Sequence, residues 1–231
     1  MYDKIIKASN RINKYINKTP LEFNNRLSLK YGANIFLKRE DLQVTRSFKI
    51  RGSLNKILKE TEHNKHIKHI VCASAGNHAQ GVAFACNLLN LKSSIFVPII
   101  TPPQKIGRIK NYGNKDMELI KTGNDFDECL EKAIDFSNEN DSLFIHPYDD
   151  IDIIHGQGTI AYEIEKEIKS DIIISCIGGG GLISGISSFN NNYKVLGAEP
   201  KGASSMFEAL INKKPVSLNK LDNFVDGASV R

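Results

Sequence analysis

Residues 171–182 read Asp171-Ile172-Ile173-Ile174-Ser175-Cys176-Ile177-Gly178-Gly179-Gly180-Gly181-Leu182. The β-branched apolar run predicts a strand over 172–177, and helical spacing resumes over 182–189. Four consecutive glycines stand between them. A glycine run costs conformational entropy, so a stable fold keeps one only where bare backbone is needed. At the start of a helix, that backbone offers several N–H donors and the positive end of the helix dipole, a combination that holds phosphate. The plain alternative is a flexible connector, which the position between strand and helix disfavours.

Working outward, strands are predicted over 34–38, 69–73, 93–97, 117–120 and 194–198. Helices are predicted over 49–59, 77–90, 103–112, 125–137 and 159–168. Pro102 and Pro103 fit a helix start, where a missing N–H costs nothing. Strand–helix alternation means βαβ units, hence an α/β fold with mostly parallel sheet and helices on its faces. Ligands of such sheets bind at the carboxyl ends of the strands. Three junctions of unusual composition lie at strand ends or helix starts: residues 47–52 (Ser-Phe-Lys-Ile-Arg-Gly), 74–78 (Ser-Ala-Gly-Asn-His) and 178–182.

The glycine run lacks the Gly-Lys-Ser/Thr of a nucleotide P-loop. A dinucleotide fingerprint also fails. Glu199 stands about where a ribose-binding acid would, but the third glycine would fall at Ile183 or Ser184. A small phosphorylated ligand fits better. Ser74, Gly76, Asn77 and His78 supply a hydroxyl, free N–H groups and a carboxamide suited to a carboxylate, though the same residues serve equally as an ordinary helix cap. Lys49 lies between Phe48 and Ile50, and apolar surroundings lower a lysine pKa and free the amine to attack a carbonyl. Alone it is one lysine among 24. Beside a phosphate cradle, it points to pyridoxal phosphate, an aldehyde that carries a phosphate.

Composition limits the alternatives. The 231 residues are 41% apolar and 25% charged, with no apolar run long enough to cross a bilayer and no signal-peptide core at the N-terminus. The net charge of +5 comes from scattered lysines, without tryptophan platforms or clustered arginine, so neither a nucleic-acid nor a membrane partner is expected. Cys72, Cys86, Cys129 and Cys176 form no CxxC pair. Cys72 and Cys176 read as small core residues within strands, which suits a reducing cytoplasm. His63, His66 and His69 recur every third residue, but no cysteine or acid completes a ligand set, and they read as a polar connector.

Taken together, residues 47–52, 74–81 and 178–182 resemble threonine deaminase (threonine ammonia-lyase), within the tryptophan-synthase-β-like, fold-type II family of pyridoxal-phosphate enzymes. The resemblance continues in order through 38–43 (Lys-Arg-Glu-Asp-Leu-Gln), 146–150 (His-Pro-Tyr-Asp-Asp), 156–159 (Gly-Gln-Gly-Thr) and 197–200 (Gly-Ala-Glu-Pro). Val225-Asp226-Gly227-Ala228 looks more like the biosynthetic branch than the catabolic one.

This resemblance implies two α/β domains. A large domain comprises residues 1–50 and 148–231, and a small domain comprises 51–147. It implies that Lys49 is catalytic and binds the cofactor covalently, with Phe48 packed nearby. Asn77 would hydrogen-bond the cofactor's phenolic oxygen, and Gly178, Gly179, Gly180, Gly181 and Leu182 would hold its phosphate. Ser74, Gly76, Asn77 and His78 would receive the substrate carboxylate. The implied reaction is β-elimination of L-threonine to 2-oxobutanoate and ammonia, the first step of isoleucine biosynthesis in the cytoplasm, with L-serine as a candidate second substrate. A catabolic serine/threonine dehydratase is the rival enzyme, and an inactive fragment that binds cofactor weakly is the rival of another class.

Two positions depart from the serine racemases of the family. Ala75 stands where they place a second catalytic serine, and Ser205 replaces one acid of their cation site beside Glu199, so no metal is expected. The family's catalytic domain runs beyond Arg231, so the chain is expected to be C-terminally truncated, and the full-length enzyme to be a homo-oligomer.

Overall fold

The computed structural model describes residues 1–222, 224–225 and 227–230. In chain order the elements are α1 (Tyr2–Ile12), β1 (Leu21–Phe23), α2 (Asn25–Tyr31), β2 (Phe36–Lys38), a 3-10 turn (Glu40–Leu42), α3 (Lys49–His63), β3 (His69–Ala73), α4 (Asn77–Leu88) and β4 (Lys92–Val97). There follow α5 (Pro103–Lys110), β5 (Met117–Lys121), α6 (Phe126–Glu139), β6 (Leu143–Phe144), α7 (Ile151–Glu165), β7 (Ile172–Cys176), α8 (Gly181–Ser187), β8 (Lys194–Ala198) and α9 (Ser205–Asn212). The fold is α/β. A parallel sheet of order β5-β4-β3-β6 forms one layer, β7 and β8 form a second parallel pair, and β1 and β2 pair antiparallel.

Strand β3 shows why the four-stranded sheet is covered on both sides. Ile70 and Cys72 join a core with Leu54, Ile57, Val82 and Ile95, whereas Val71 and Ala73 point the other way onto Phe96, Cys129 and Ala133. A parallel sheet sandwiched between helices needs this two-sided apolar pattern. A third core joins Ile5 of α1 to Ile160, Ala161 and Ile164 of α7, with Ile173, Ile186 and Phe189. After β3 the chain lays β4 and β5 on one side, then returns to place β6 on the other. The order reverses at β3, and ligands of such sheets bind beyond the carboxyl ends of the strands at a reversal of this kind.

Several expectations are corrected. Helix α7 begins at Ile151 rather than 159, because Gly156 and Gly158 lie within it. A Cβ at Gly156 would sit 2.5 Å from the Arg51 carbonyl, and one at Gly158 2.8 Å from that of Gly185. The glycines therefore mark close helix approach, and packing overrides their low helix propensity. Asp150 caps this helix, its Oδ1 accepting from the N–H groups of Asp152 and Ile153. Cys176 is exposed instead of buried, because the pleat of β7 turns Ile173 and Ser175 inward and Ile172, Ile174 and Cys176 outward. Helices α1, α2 and α9 and the short strands β1 and β6 were not read from the sequence. Among the described residues, no helix is long and apolar enough to cross a membrane.

Candidate active site

Helix α3 begins at Lys49. The Lys49 backbone N–H meets Ser47 Oγ at 3.2 Å, and its Nζ donates to the Pro147 carbonyl at 2.9 Å. The Phe48 ring lies beside the amine, with its centroid 5.6 Å from Nζ. Burial drives the Lys49 pKa down to about 8, with Cys176 opposing the shift. An amine of that pKa is still mostly protonated at pH 7, but it carries a far larger unprotonated fraction than an ordinary lysine, and the unprotonated form attacks a carbonyl.

Two residues on, Arg51 is fully buried and uses every N–H it has. Nε and Nη2 bind the two oxygens of Glu40, both at 2.8 Å, and Nη1 and Nη2 bind those of Glu163 at 2.6 and 2.9 Å. Nη1 also donates to Thr159 Oγ1 at 3.1 Å. Lys38 Nζ completes the cluster 2.7 Å from Glu163. Two cations and two carboxylates balance, as burial requires. Burial alone would lower the arginine pKa, but its carboxylate hydrogen bonds raise it; burial alone would raise that of Glu163, but Arg51 and Lys38 hold it below the usual range. The cluster ties the first turn of α3 to α7 and to the turn after β2.

The second junction closes β3. The Ser74 N–H reaches the Phe96 carbonyl at 3.0 Å, and Ser74 Oγ accepts from the Gly76 N–H at 3.1 Å. Asn77 opens α4, and the next residue, His78, lies buried with Nε2 2.9 Å from the Ile145 carbonyl. A carbonyl only accepts, so Nε2 carries the proton. Burial, then the nearby Lys49 charge, pushes the His78 pKa down to about 3. It is a neutral imidazole throughout the working range.

The glycine run is the third. Gly180 adopts φ +86°, left-handed backbone that suits glycine, and no side chain caps α8 behind it. A Cβ on Gly179 would collide with the Tyr148 ring, and one on Gly181 would sit 2.9 Å from the Tyr148 carbonyl oxygen. Leu182 is half-buried against the α1–α7 core.

All three junctions therefore meet one segment, residues 145–148, where the chain leaves β6. His78 bonds to Ile145, Lys49 to Pro147, and the glycines pack on Tyr148. Sequence reasoning missed this hub. It found the His-Pro-Tyr-Asp-Asp motif but gave it no role, since a backbone carbonyl and a packing ring leave no chemical signature. Glu199 caps α9, its carboxylate accepting from the N–H groups of Met206 and Phe207 at 2.9 and 2.8 Å. Of the 225–228 motif, Asp226 lies outside the described residues.

A family model described as pyridoxal-phosphate dependent enzyme matches residues 12–231. The chain belongs to that family. Proteins similar to it include biosynthetic L-threonine dehydratases of Staphylococcus aureus, 46% identical over 98% of this chain, and of Staphylococcus epidermidis, 47% identical over 98%. The chain spans 56% of the length of each of these relatives. Among solved structures, the processed threonine deaminase isoform 2 of Solanum lycopersicum superposes with a TM-score of 0.88 at 36% identity, covering 100% of this chain and 69% of that one. Maize serine racemase superposes with a TM-score of 0.90 at 30% identity, covering 100% and 71%. The residues present fit the family's cofactor: Lys49 offers a low-pKa amine to an aldehyde, and the uncapped start of α8 offers backbone N–H groups to a phosphate.

Proposed function

We propose that this chain carries the cofactor and substrate site of a threonine dehydratase, which converts L-threonine to 2-oxobutanoate and ammonia on the way to isoleucine. The observation that carries the reading is the convergence of Lys49, the turn at the end of β3 and the glycine run on residues 145–148. When bound, pyridoxal phosphate links to an amine through its aldehyde and takes up the charge left when a substrate proton is removed.

The chain's residues divide the remaining work. Lys49 would hold the cofactor through its amine, and the same amine, when free, would take the α-proton as general base, a task its pKa of about 8 suits. Gly178, Gly179, Gly180, Gly181 and Leu182 would present to the phosphate the N–H groups of the glycine run and of the first turn of α8. Ser74, Gly76, Asn77 and His78 receive the substrate carboxylate, and Asn77 also hydrogen-bonds the cofactor ring oxygen. Neutral His78 adds no positive charge that would draw the carboxylate away from the backbone donors. Ala75 carries no hydroxyl for a second proton transfer, which favours elimination over racemisation.

The four-stranded sheet and its helices support a small domain over 51–147, with 1–50 and 148–231 forming the large one. A homo-oligomer in the cytoplasm is the setting we infer, and four unpaired cysteines suit it. The test is the visible spectrum of the protein with pyridoxal phosphate, before and after L-threonine or L-serine, with 2-oxobutanoate from threonine and pyruvate from serine measured alongside. A band that shifts with threonine and is lost in Lys49→Ala supports the reading. A folded protein that forms no such band overturns it.

A further inference from the structure

His146 has no part in the reaction as written, yet its imidazole is held in one state. Nδ1 accepts two backbone N–H groups, from Asp149 at 2.7 Å and Tyr148 at 3.2 Å. A nitrogen that accepts is unprotonated, so the ring's hydrogen sits on Nε2. The ring stands edge-on to Phe144, with centroids 6.3 Å apart, and to Tyr148 at 4.7 Å. The turn so pinned carries the Pro147 carbonyl that holds the Lys49 amine and the Tyr148 ring against which Gly179 packs.

We propose that His146 is a positioning residue: by accepting the Tyr148 and Asp149 N–H groups it fixes the turn that aims the Lys49 amine and backs the glycine run, and its protonation releases that turn. This rests on the cofactor role read for Lys49.

Protonation would put a hydrogen on Nδ1, facing two N–H donors. Both bonds would be lost and replaced by repulsion. The groups around the ring decide when this happens. Burial disfavours the charged ring, Asp149 and Asp150 at the head of α7 favour it, and Lys49 on α3 disfavours it, leaving the pKa below the ordinary histidine value. His78 on α4 also feels this ring but stays neutral. A lowered folded-state pKa means the turn is intact at neutral pH and is lost as pH falls below the usual histidine range.

Two variants separate the acceptor from the ring. His146→Phe keeps an aromatic against Phe144 and Tyr148 but removes the acceptor. His146→Asn restores an acceptor that reaches the N–H groups two and three residues on, as Asp150 Oδ1 does at the head of α7, and it does not titrate. In the cofactor-free protein, amide exchange at Tyr148 and Asp149 should speed by about tenfold in His146→Phe and stay near wild type in His146→Asn. In the second arm, cofactor trapped on Lys49 by borohydride is measured against pH. The wild type should lose trapping on acidification, and His146→Asn should hold it to lower pH. Unchanged exchange in His146→Phe, or equal acid midpoints for His146→Asn and wild type, overturns the proposal. If the wild type traps no cofactor at Lys49 at any pH, the proposed function falls, and the exchange arm alone decides whether His146 holds the turn.

Discussion

Replacing Arg51 with methionine isolates what the buried ion cluster contributes. Methionine keeps most of the arginine stem, so the loss is electrostatic rather than a large cavity. In its place Glu40, whose side chain is only 14% exposed, keeps a hydroxyl partner but loses its cation, while Glu163 retains Lys38. One carboxylate stranded in this way costs about 3–5 kcal/mol. For a chain of this size that lowers the melting temperature by roughly 6–20 °C. Urea unfolding at neutral pH measures it as a fall in midpoint with an unchanged m-value. The charge count makes a sharper expectation. Adding Glu40→Gln to Arg51→Met leaves Lys38 and Glu163 as a balanced pair, so the second substitution should return about 1–3 kcal/mol instead of adding a further cost. Acid gives the sign independently. Burial would raise the Glu163 pKa, but Arg51 and Lys38 together depress it. Its stabilisation is therefore present above the ordinary glutamate value and lost as pH falls through the folded-state value, more steeply in wild type than in Arg51→Met. An Arg51→Met loss under about 1 kcal/mol, or additive losses in the double variant, would refute the argument.

Lys49→Met should abolish cofactor linkage yet stabilise the cofactor-free protein. Below pH 8 the native state carries a desolvated ammonium there, so removal should gain as much as about 3 kcal/mol, shrinking as pH rises toward the ordinary lysine value, in urea titrations across pH. Gly179→Ala should lose about 1–3 kcal/mol and cofactor retention together, because the new Cβ meets the Tyr148 ring, and Tyr148→Leu in the same chain should recover part of both. Asp150→Ala removes the α7 cap and the partner of Lys56, and should cost about 1–2 kcal/mol by thermal unfolding.

Much of this was legible where local pattern and tertiary role agree. β3 and β8 fall where the β-branched apolar runs put them, Lys49 and Asn77 each open a helix as read, and the helix read from Leu182 begins one residue earlier, at Gly181. The failures have physical causes. Gly156 and Gly158 suggest a loop by propensity, yet they serve helix contact, which only the packed partner reveals. β6 is two residues long, too short for any periodicity, yet it sets the reversal of strand order at β3. Cys176 belongs to an apolar run whose outward face a sequence cannot distinguish from its inward one. The site's chemistry was readable because lysine and consecutive glycines are distinctive residue types. Its scaffold was not, since Pro147 acts through a carbonyl that every residue possesses.

The bond from Lys49 to Pro147 spans 98 positions, and those from Arg51 to Thr159 and Glu163 span 108 and 112. Between them the chain must build an entire βα sheet from neighbouring units. Local units form early, and contacts across such separations come late, because their closure entropy must be met before they return anything. The lysine's unusual amine is thus a product of the final stage of assembly. During refolding, its reactivity toward an aldehyde should appear after the helices and the small sheet, making the site a clock for completion of the fold.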